Sequence, residues 1–298
     1  MSFLALLVAL LVEQMWPSSF HRKPAQKMRE LAGRIAGGAH MLERSERVLW
    51  WVTVPGMALA AALAYGLLAG WAWMLGLAFS VVLLYLLLGY RSESRCFGDI
   101  HLALGTGDLG RARALLGGWR GGDPSHACAA EVARLSVEHG LVRAHRLIFG
   151  MAFWLWVLPG PSGAVLYRMA EEMARDAPDD AFARRAFELV DWLPARISAL
   201  AFAIFGNFED ALYCWRTQAA LWQDRASGIL ISSGAGALGV RLGLPIHDGE
   251  RVIERPELGT GGKADVTTMQ AAAKLAWRSL VLVLLVLALL GIAGWAGD

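Results

Sequence analysis

From Val48 to Tyr90 the chain runs for more than forty residues without a charged side chain, broken only by Pro55 and scattered glycines. A helical membrane crossing needs about 20 apolar residues, so this stretch predicts two crossings. Gly70 near its middle, with Trp71 and Trp73 beside it, suits a tight turn at an interface. A second apolar run, Ser279 to Trp295, is long enough for a tilted or slightly short crossing. Three weaker candidates flank these. Met1–Trp16 is apolar except for Glu13 and Gln14, which fits a short retained membrane helix or re-entrant segment better than a secretory signal, since no basic region opens it. Leu147–Tyr167 carries Pro159-Gly160-Pro161-Ser162-Gly163, a run that breaks a helix. Leu193–Phe205 is interrupted by Arg196 and Ser198 and is short for a span. The fold expected is all-α: a polytopic helical membrane protein with amphipathic cytoplasmic helices. Its parts are residues 1–47, the hairpin 48–90, a mixed region 91–278 with partial or broken membrane helices, and the C-terminal helix 279–298.

Charge orients this layout. Pro17–Arg47 holds seven Lys/Arg against three acids, with Met28, Leu31 and Ile35 at helical spacing, and predicts a basic amphipathic helix. Beside a membrane hairpin such a segment reads as cytoplasmic rather than as a nucleic-acid site, so both hairpin ends are placed inside a bacterial-type inner membrane. Arg91–Arg146 is polar, with eight arginines, and predicts a short helix pair around Gly105–Gly107, a turn at Asp123-Pro124-Ser125 and a longer helix from His126 to about His145. Arg168–Asp191 is net acidic, and Val252–Asp265 reads as a Gly-rich loop poor in strands. Hydrophobic residues make up 56% of the chain and charged residues 18%, a mixture that fits neither a bare bundle of spans nor a soluble enzyme. Cys96, Cys128 and Cys214 are widely spaced and offer neither a disulfide framework nor a zinc motif.

Familiar catalytic motifs are absent. Gly259-Thr260-Gly261-Gly262-Lys263 lacks the outer glycine and the Ser/Thr of a phosphate loop, with Glu257 and Ala264 in their places. The seven histidines show no metal-ligand spacing. Two polar groupings remain. Arg196 heads an apolar run, with Glu188 and Asp191 before it and Asn207, Glu209 and Asp210 after it; it reads either as an interfacial Arg–Asp pair or as part of a polar site inside the bundle. Ser232–Gly243 is rich in small residues and contains Gly236, Gly239 and Arg241. It reads either as a glycine-faced packing helix with a capping arginine or as an anion site in which backbone amides assist Arg241.

Pro194-Ala195-Arg196, the run Gly236-Ala237-Leu238-Gly239-Val240-Arg241-Leu242-Gly243, and Ala103–Arg113 with its Gly107-Asp108-Leu109, followed by Arg120 to Asp123, resemble the CobD/CbiB superfamily. That group includes membrane adenosylcobinamide-phosphate synthases of cobalamin assembly and AmpE proteins linked to β-lactamase induction. Several motif positions differ from the synthases: only Ser136 and Glu138 match one stretch, and Tyr167-Arg168 is followed by Met169-Ala170-Glu171-Glu172 instead of an Asn-Thr-Leu-Asp run. The resemblance therefore implies an AmpE-like inner-membrane signalling or accessory protein of cell-wall recycling, not an enzyme. The alternatives are a cobinamide-phosphate synthase of the ATP-dependent ligase type, with ATP and Mg²⁺, and a transporter accessory. Apart from ATP and Mg²⁺ under the synthase reading, no cofactor or metal is indicated. The expected partners are the lipid bilayer and a small anionic ligand, with oligomers allowed. The candidate polar site is Asp108, Arg113, Arg120, Asp123, Glu138, Glu188, Asp191, Arg196, Asn207, Glu209, Gly236, Gly239 and Arg241.

Overall fold

A computed structural model describes residues 2–15, 46–176 and 181–297. The basic segment expected to form an amphipathic helix lies almost entirely outside them. In chain order the helices are α1 (Ser2–Met15), α2 (Glu46–Trp71), α3 (Trp73–Leu88), α4 (Tyr90–Gly105), α5 (Leu109–Arg120), α6 (Ala129–Ala144), α7 (Gly150–Val157), α8 (Ser162–Asp176), α9 (Ala181–Phe205), α10 (Phe208–Gln218), α11 (Arg225–Leu238) and α12 (Val266–Gly297). Strands β1 (Val240–Gly243), β2 (Ile246–Asp248), β3 (Arg251–Ile253), β4 (Glu257–Gly259) and β5 (Gly262–Lys263) lie between α11 and α12. The all-α class holds. Three helical stretches, Trp50–Trp71, Trp73–Gly105 and Val266–Gly291, are long and apolar enough to cross a membrane. The second bends at Gly89, whose left-handed φ of 62° suits glycine.

The chain forms two compact units. The first comprises Met1–Arg91, Arg146–Pro194 and Leu284–Asp298. In it α2 and α3 form the expected hairpin, but the turn falls at Ala72, in extended conformation, while Gly70 stays helical. Leu6, Val54, Leu84, Leu88, Met151 and Leu155 share its core with Tyr167. Pro55 sits inside α2 without ending it. The Pro159–Gly163 break is real: α7 ends, Gly160 takes a left-handed φ of 61°, and α8 starts at Ser162. Gly163 lets α8 press against the Trp154 carbonyl of α7, where a Cβ has no room. Glu13 is buried; its carboxylate accepts the Arg91 backbone N–H at 2.9 Å, and its carbonyl accepts from the Arg91 guanidinium at 3.1 Å.

The second unit comprises Ser92–His145 and Ala195–Val283. Its spine is α11, whose residues from Ala226 to Ala237 are all buried. Small residues make this enclosure fit. The Gly236 Cα faces the Asp210 carbonyl of α10, and Gly234 faces Leu141 of α6. Ser233 Oγ donates to the Ala199 carbonyl of α9 at 2.9 Å. Asp224 caps the start of α11, and Gly239 ends it with φ 65°.

The segment beyond Gly239 corrects the sequence reading. Residues 252–265, expected to be a strand-poor loop, contribute three of five short strands. β1 pairs antiparallel with β4 and parallel with β5, and β2–β3 form a separate hairpin with His247 opposite Val252. The helix expected from His126 begins at Ala129 instead, because Asp123 Oδ1 accepts the Ser125 N–H at 3.1 Å and holds the preceding residues in a turn.

The glycines separate packing from space. Gly236→Ala must push its Cβ into backbone and is expected to destabilise the second unit by about 1–3 kcal/mol. Gly118→Ala, where a Cβ meets nothing within 4 Å, is expected to be neutral or to gain up to about 1 kcal/mol of helix propensity. Thermal unfolding of both variants in detergent checks this; equal midpoints would remove the packing role assigned to Gly236.

Candidate functional site

Three charged residues of α6, Glu131, Arg134 and Glu138, stand three and four positions apart and therefore share one helix face. All three are buried, so each requires partners. The partners come from the β segment more than a hundred residues later. Glu138 Oε1 accepts the Gly243 N–H at 2.9 Å, and the Arg255 guanidinium forks onto the same carboxylate at 2.9 and 3.3 Å. Arg255 also donates to the carbonyls of Leu244 at 3.1 Å and Gly243 at 2.8 Å, and lies 5.0 Å from the centroid of the Trp222 ring. Arg134 donates to the Gly243 carbonyl and, at 2.8 Å, to that of Pro245. Glu131 accepts the backbone N–H of His247 at 2.8 Å through one oxygen and bonds its Nδ1 at 2.9 Å through the other. Burial pushes the Glu138 carboxyl up, and Arg255 and Arg134 pull it back without cancelling the rise. Burial likewise lowers Arg134 and Arg120, with Glu138 opposing it in both.

Beside this network an open cleft of about 440 Å³ runs along α5 and the turn that follows it. Its lining includes Arg113, Gly117, Gly118, Gly122, Asp123 and Ser125. Arg113 donates its Nε to the Ala127 carbonyl at 2.8 Å, which fixes the guanidinium while its terminal amino groups bond no other described residue. Asp123 turns one carboxylate oxygen to Ser125 and leaves the other unbonded among the described residues. The β2–β3 hairpin fixes the wall: Asp248 Oδ1 accepts the Asp123 N–H at 2.5 Å, and Gly249 N–H donates to the Asp123 carbonyl at 2.8 Å. Arg120, two turns after Arg113 on α5, makes no hydrogen bond among the described residues. It sits in the field of Glu138, Asp248 and Glu131, with Arg255 opposing.

The expected site residues thus divide by unit. Arg113, Arg120, Asp123 and Glu138 come together in the second. Asp108 is in that unit too, capping α5 through the Arg111 N–H at 3.0 Å. Asn207 caps α10 and donates its N–H to the Ala237 carbonyl at 3.0 Å, and Glu209 is exposed in the first turn of α10. Gly236 and Gly239 serve packing and helix termination. Arg241 is on β1, not on the end of a helix, and pairs with Glu257 at 3.4 Å. Arg196 is half-buried near the charge of Arg225. Glu188 and Asp191 belong to the first unit: Glu188 is exposed, and Asp191 is buried and accepts the Tyr167 hydroxyl at 2.8 Å. Sequence reasoning missed Glu131, Arg134, His247, Asp248 and Arg255. The spacing of Glu131 and Arg134 to Glu138 was a usable signal; the others sit in or beside the segment read as a loop. Among the described residues no three His, Cys, Asp or Glu side chains group as a metal site.

A family model described as CobD/Cbib protein matches residues 3–276. The chain belongs to the CobD/CbiB family. It is 34% identical over 299 residues to the cobalamin biosynthesis protein CobD of Stutzerimonas stutzeri, covering 96% of both chains. It is 33% identical to the protein of that name from Chromobacterium violaceum, covering 87% of both, and 28% identical to that of Rhodobacter capsulatus, covering 82% of both. No solved structure matches the chain. These names overturn the expected AmpE-like role in cell-wall recycling or β-lactamase induction. That expectation rested on local departures from synthase motifs, whereas similarity to cobalamin biosynthesis proteins extends over nearly the whole chain. With three helices suited to crossing a bilayer, this CobD/CbiB member is a membrane protein.

Glu138→Ala leaves Arg255 without the carboxylate it pairs with and removes an opposing charge near Arg134, and is expected to cost about 3–5 kcal/mol. Adding Arg255→Met to Glu138→Ala is expected to recover part of that loss, because the stranded charge goes with it. Unfolding measurements on Glu138→Ala, Arg255→Met and the double variant check both. A double variant as unstable as the sum of its singles would contradict the pairing.

Proposed function

We propose that this chain is a membrane-bound enzyme of cobalamin biosynthesis of the adenosylcobinamide-phosphate synthase type, joining the amine of an aminopropanol phosphate to a carboxylate of a corrinoid. The observation that carries the reading is the similarity to CobD proteins over 96% and 87% of the chain. We place the reaction in the second unit, within the region 91–278, at an inner-membrane face, with a multi-pass chain and both ends of the α2–α3 hairpin in the cytoplasm. The bilayer and a small anionic ligand are the partners this reading requires.

ATP and Mg²⁺ are the cofactors it implies. ATP supplies the activation that makes a carboxylate reactive toward an amine. Mg²⁺ is commonly held by one or two carboxylates plus ligand phosphates, and the donors at the cleft fit that mode. Asp123 presents a carboxylate oxygen with no hydrogen-bond partner among the described residues, and Arg113 presents amino groups fixed by its bond to Ala127. Fixed guanidinium N–H groups stabilise charge on phosphate oxygens without reorganising. Arg120 adds positive field at the same wall. The Glu138–Arg255–Arg134 network holds the β segment still while the cleft is occupied.

Expression of the chain in a bacterium lacking its own cobinamide-phosphate synthase tests the proposal. Corrinoid-dependent growth on a corrinoid acid that has not yet received the aminopropanol group is expected with the wild-type chain and is expected to be lost with Arg113→Gln. Absence of growth despite normal membrane accumulation of the wild-type chain would refute the reading.

A further inference from the structure

The outer side of α9 carries the residues that a helix in water would bury. Leu189, Leu193, Arg196, Leu200 and Ile204 recur three or four positions apart and share one face. Leu189 is 77% exposed and Ile204 56%, with Leu193 and Leu200 between them also exposed. The opposite face is the polar one. Asp191 and Ser198, seven positions apart, are fully buried there; Asp191 accepts the Tyr167 hydroxyl at 2.8 Å, and Ser198 Oγ lies 2.8 Å from His145 Nδ1. From Leu189 to Ile204 the apolar face is about 22 Å long, at a rise of about 1.5 Å per residue. Its single charge, Arg196, is half-buried on a long stem that can carry the guanidinium to a polar boundary. Exposed Arg184, Arg185 and Glu188 precede the face, and exposed Asn207 and Glu209 follow it.

We infer that this face of α9 is covered by the acyl chains of the bilayer, which makes α9 a lipid-contacting element beyond the three long apolar helices. What lies under α9 points to lipid rather than to a second protein. Ala183 and Phe187 belong to the same buried cluster as Val54 of α2 and Leu84 of α3, and the Phe182 ring meets Trp50 edge-on at 5.8 Å. α2 and α3 are long and apolar enough to cross a membrane, and their own outward residues Leu59, Leu63 and Val82 are exposed and apolar. A bilayer therefore already surrounds the core on which the first half of α9 is packed. The face also offers no hydrogen-bonding side chain except Arg196, whereas protein interfaces carry about one hydrogen bond per 100–200 Å². In the second unit the same helix is bonded to α11, through Ser233 Oγ and the Ala199 carbonyl at 2.9 Å, so lipid contact along α9 seats that unit at the membrane. The inference stands apart from the reaction proposed above and does not depend on it.

Collision measurements on nitroxide side chains test it. The full-length protein, with Cys96 and Cys128 replaced by serine and the buried Cys214 kept, is reconstituted into phosphatidylcholine vesicles. Leu193→Cys, Leu200→Cys and Ile204→Cys are labelled singly, and Glu209→Cys, at an exposed polar position, is the reference. Oxygen concentrates in hydrocarbon, whereas a nickel chelate stays in water. At the three α9 positions the label is expected to be mobile, to gain oxygen collisions over the Glu209 position and to lose nearly all nickel collisions. A nickel-accessible label at Leu200 or Ile204 would place the face in water and overturn the inference. An immobilised label shielded from both reagents would place protein against the face, a second copy of this chain included, and would overturn it equally. Thermal midpoints of the labelled variants are compared with the parent, and if one variant fails to fold the other two positions decide. Benzoylphenylalanine at Ile204 gives a second reading without cysteine. Irradiation in the same vesicles is expected to yield lipid adducts, and crosslinks to protein alone would refute the assignment.

Discussion

The polar contacts between α6 and the β segment of the second unit centre on the buried carboxylate of Glu138. A lone carboxylate inside a packed helix face would be untenable, so its position forces the chain to bring donors to it. It receives the Gly243 N–H and the fork of Arg255, while Arg134 on the same face binds the Gly243 and Pro245 carbonyls. The result is reciprocal. α6 supplies both an acceptor and donors to a stretch of backbone, and that stretch satisfies the charges of α6. Gly243 belongs at this junction for steric reasons as well: its φ is 71°, and a Cβ on it would strike the Pro256 carbonyl. Strands of two to four residues are too short to be stable alone. Here they are held chiefly by side chains from a helix, not by a broad sheet.

The two units show how differently a sequence declares its contacts. The α2–α3 hairpin and the apolar C-terminal helix were legible because long uncharged runs have few alternatives. The helix break at Pro159–Gly163 was legible for local reasons, two prolines and two glycines. The strands between Val240 and Lys263 were not, since neither alternation nor length marks them. Their anchors lie far away in sequence: Glu131, Arg134 and Glu138, more than a hundred positions earlier, hold Gly243, Pro245 and His247, and Gln218 of α10 holds Gly259 of β4. α9 is an intermediate case. Its exposed positions Leu189, Trp192, Leu193, Leu200 and Ile204 are apolar, while Asp191 and Ser198 are fully buried. That polarity is the reverse of a helix surrounded by water, and the charged residues that serve its interior are what dilute its apolar signal.

The same distinction explains the functional misreading. Along the sequence alone, the motif departures at Glu171-Glu172 and in the segment around Glu138 read as lost ligands. The structure places Glu171 and Glu172 in a buried ionic cluster with Arg168, at 2.5 and 3.3 Å, and places Glu138 at the centre of the β-segment latch. A motif compared position by position reports which side chains changed, not which neighbours changed with them. Of the expected site residues, Arg113, Arg120, Asp123 and Glu138 were found because local motifs contained them. Arg255, His247 and Asp248 were missed because only the folded chain brings them to α6 and the cleft.

The latch and the cleft are linked by the β2–β3 hairpin. Glu131 grips His247 through both carboxylate oxygens, and the next residue, Asp248, receives the Asp123 N–H while Gly249 donates to the Asp123 carbonyl. Asp123 is itself a wall of the cleft. The turn after α5 contains Gly121 and Gly122, both at left-handed φ, and has little intrinsic preference for one shape. Its geometry is therefore imposed from outside, by backbone bonds to a hairpin that α6 holds in place. A binding site needs its contacts held within about half an ångström of productive geometry, and a glycine turn alone cannot do that. Buried charges on α6 can, because moving the hairpin would expose Glu131, Arg134 and Glu138 to the full cost of unpaired burial. The ionic network, though distinct from the cleft lining, is thus what gives the cleft a fixed shape.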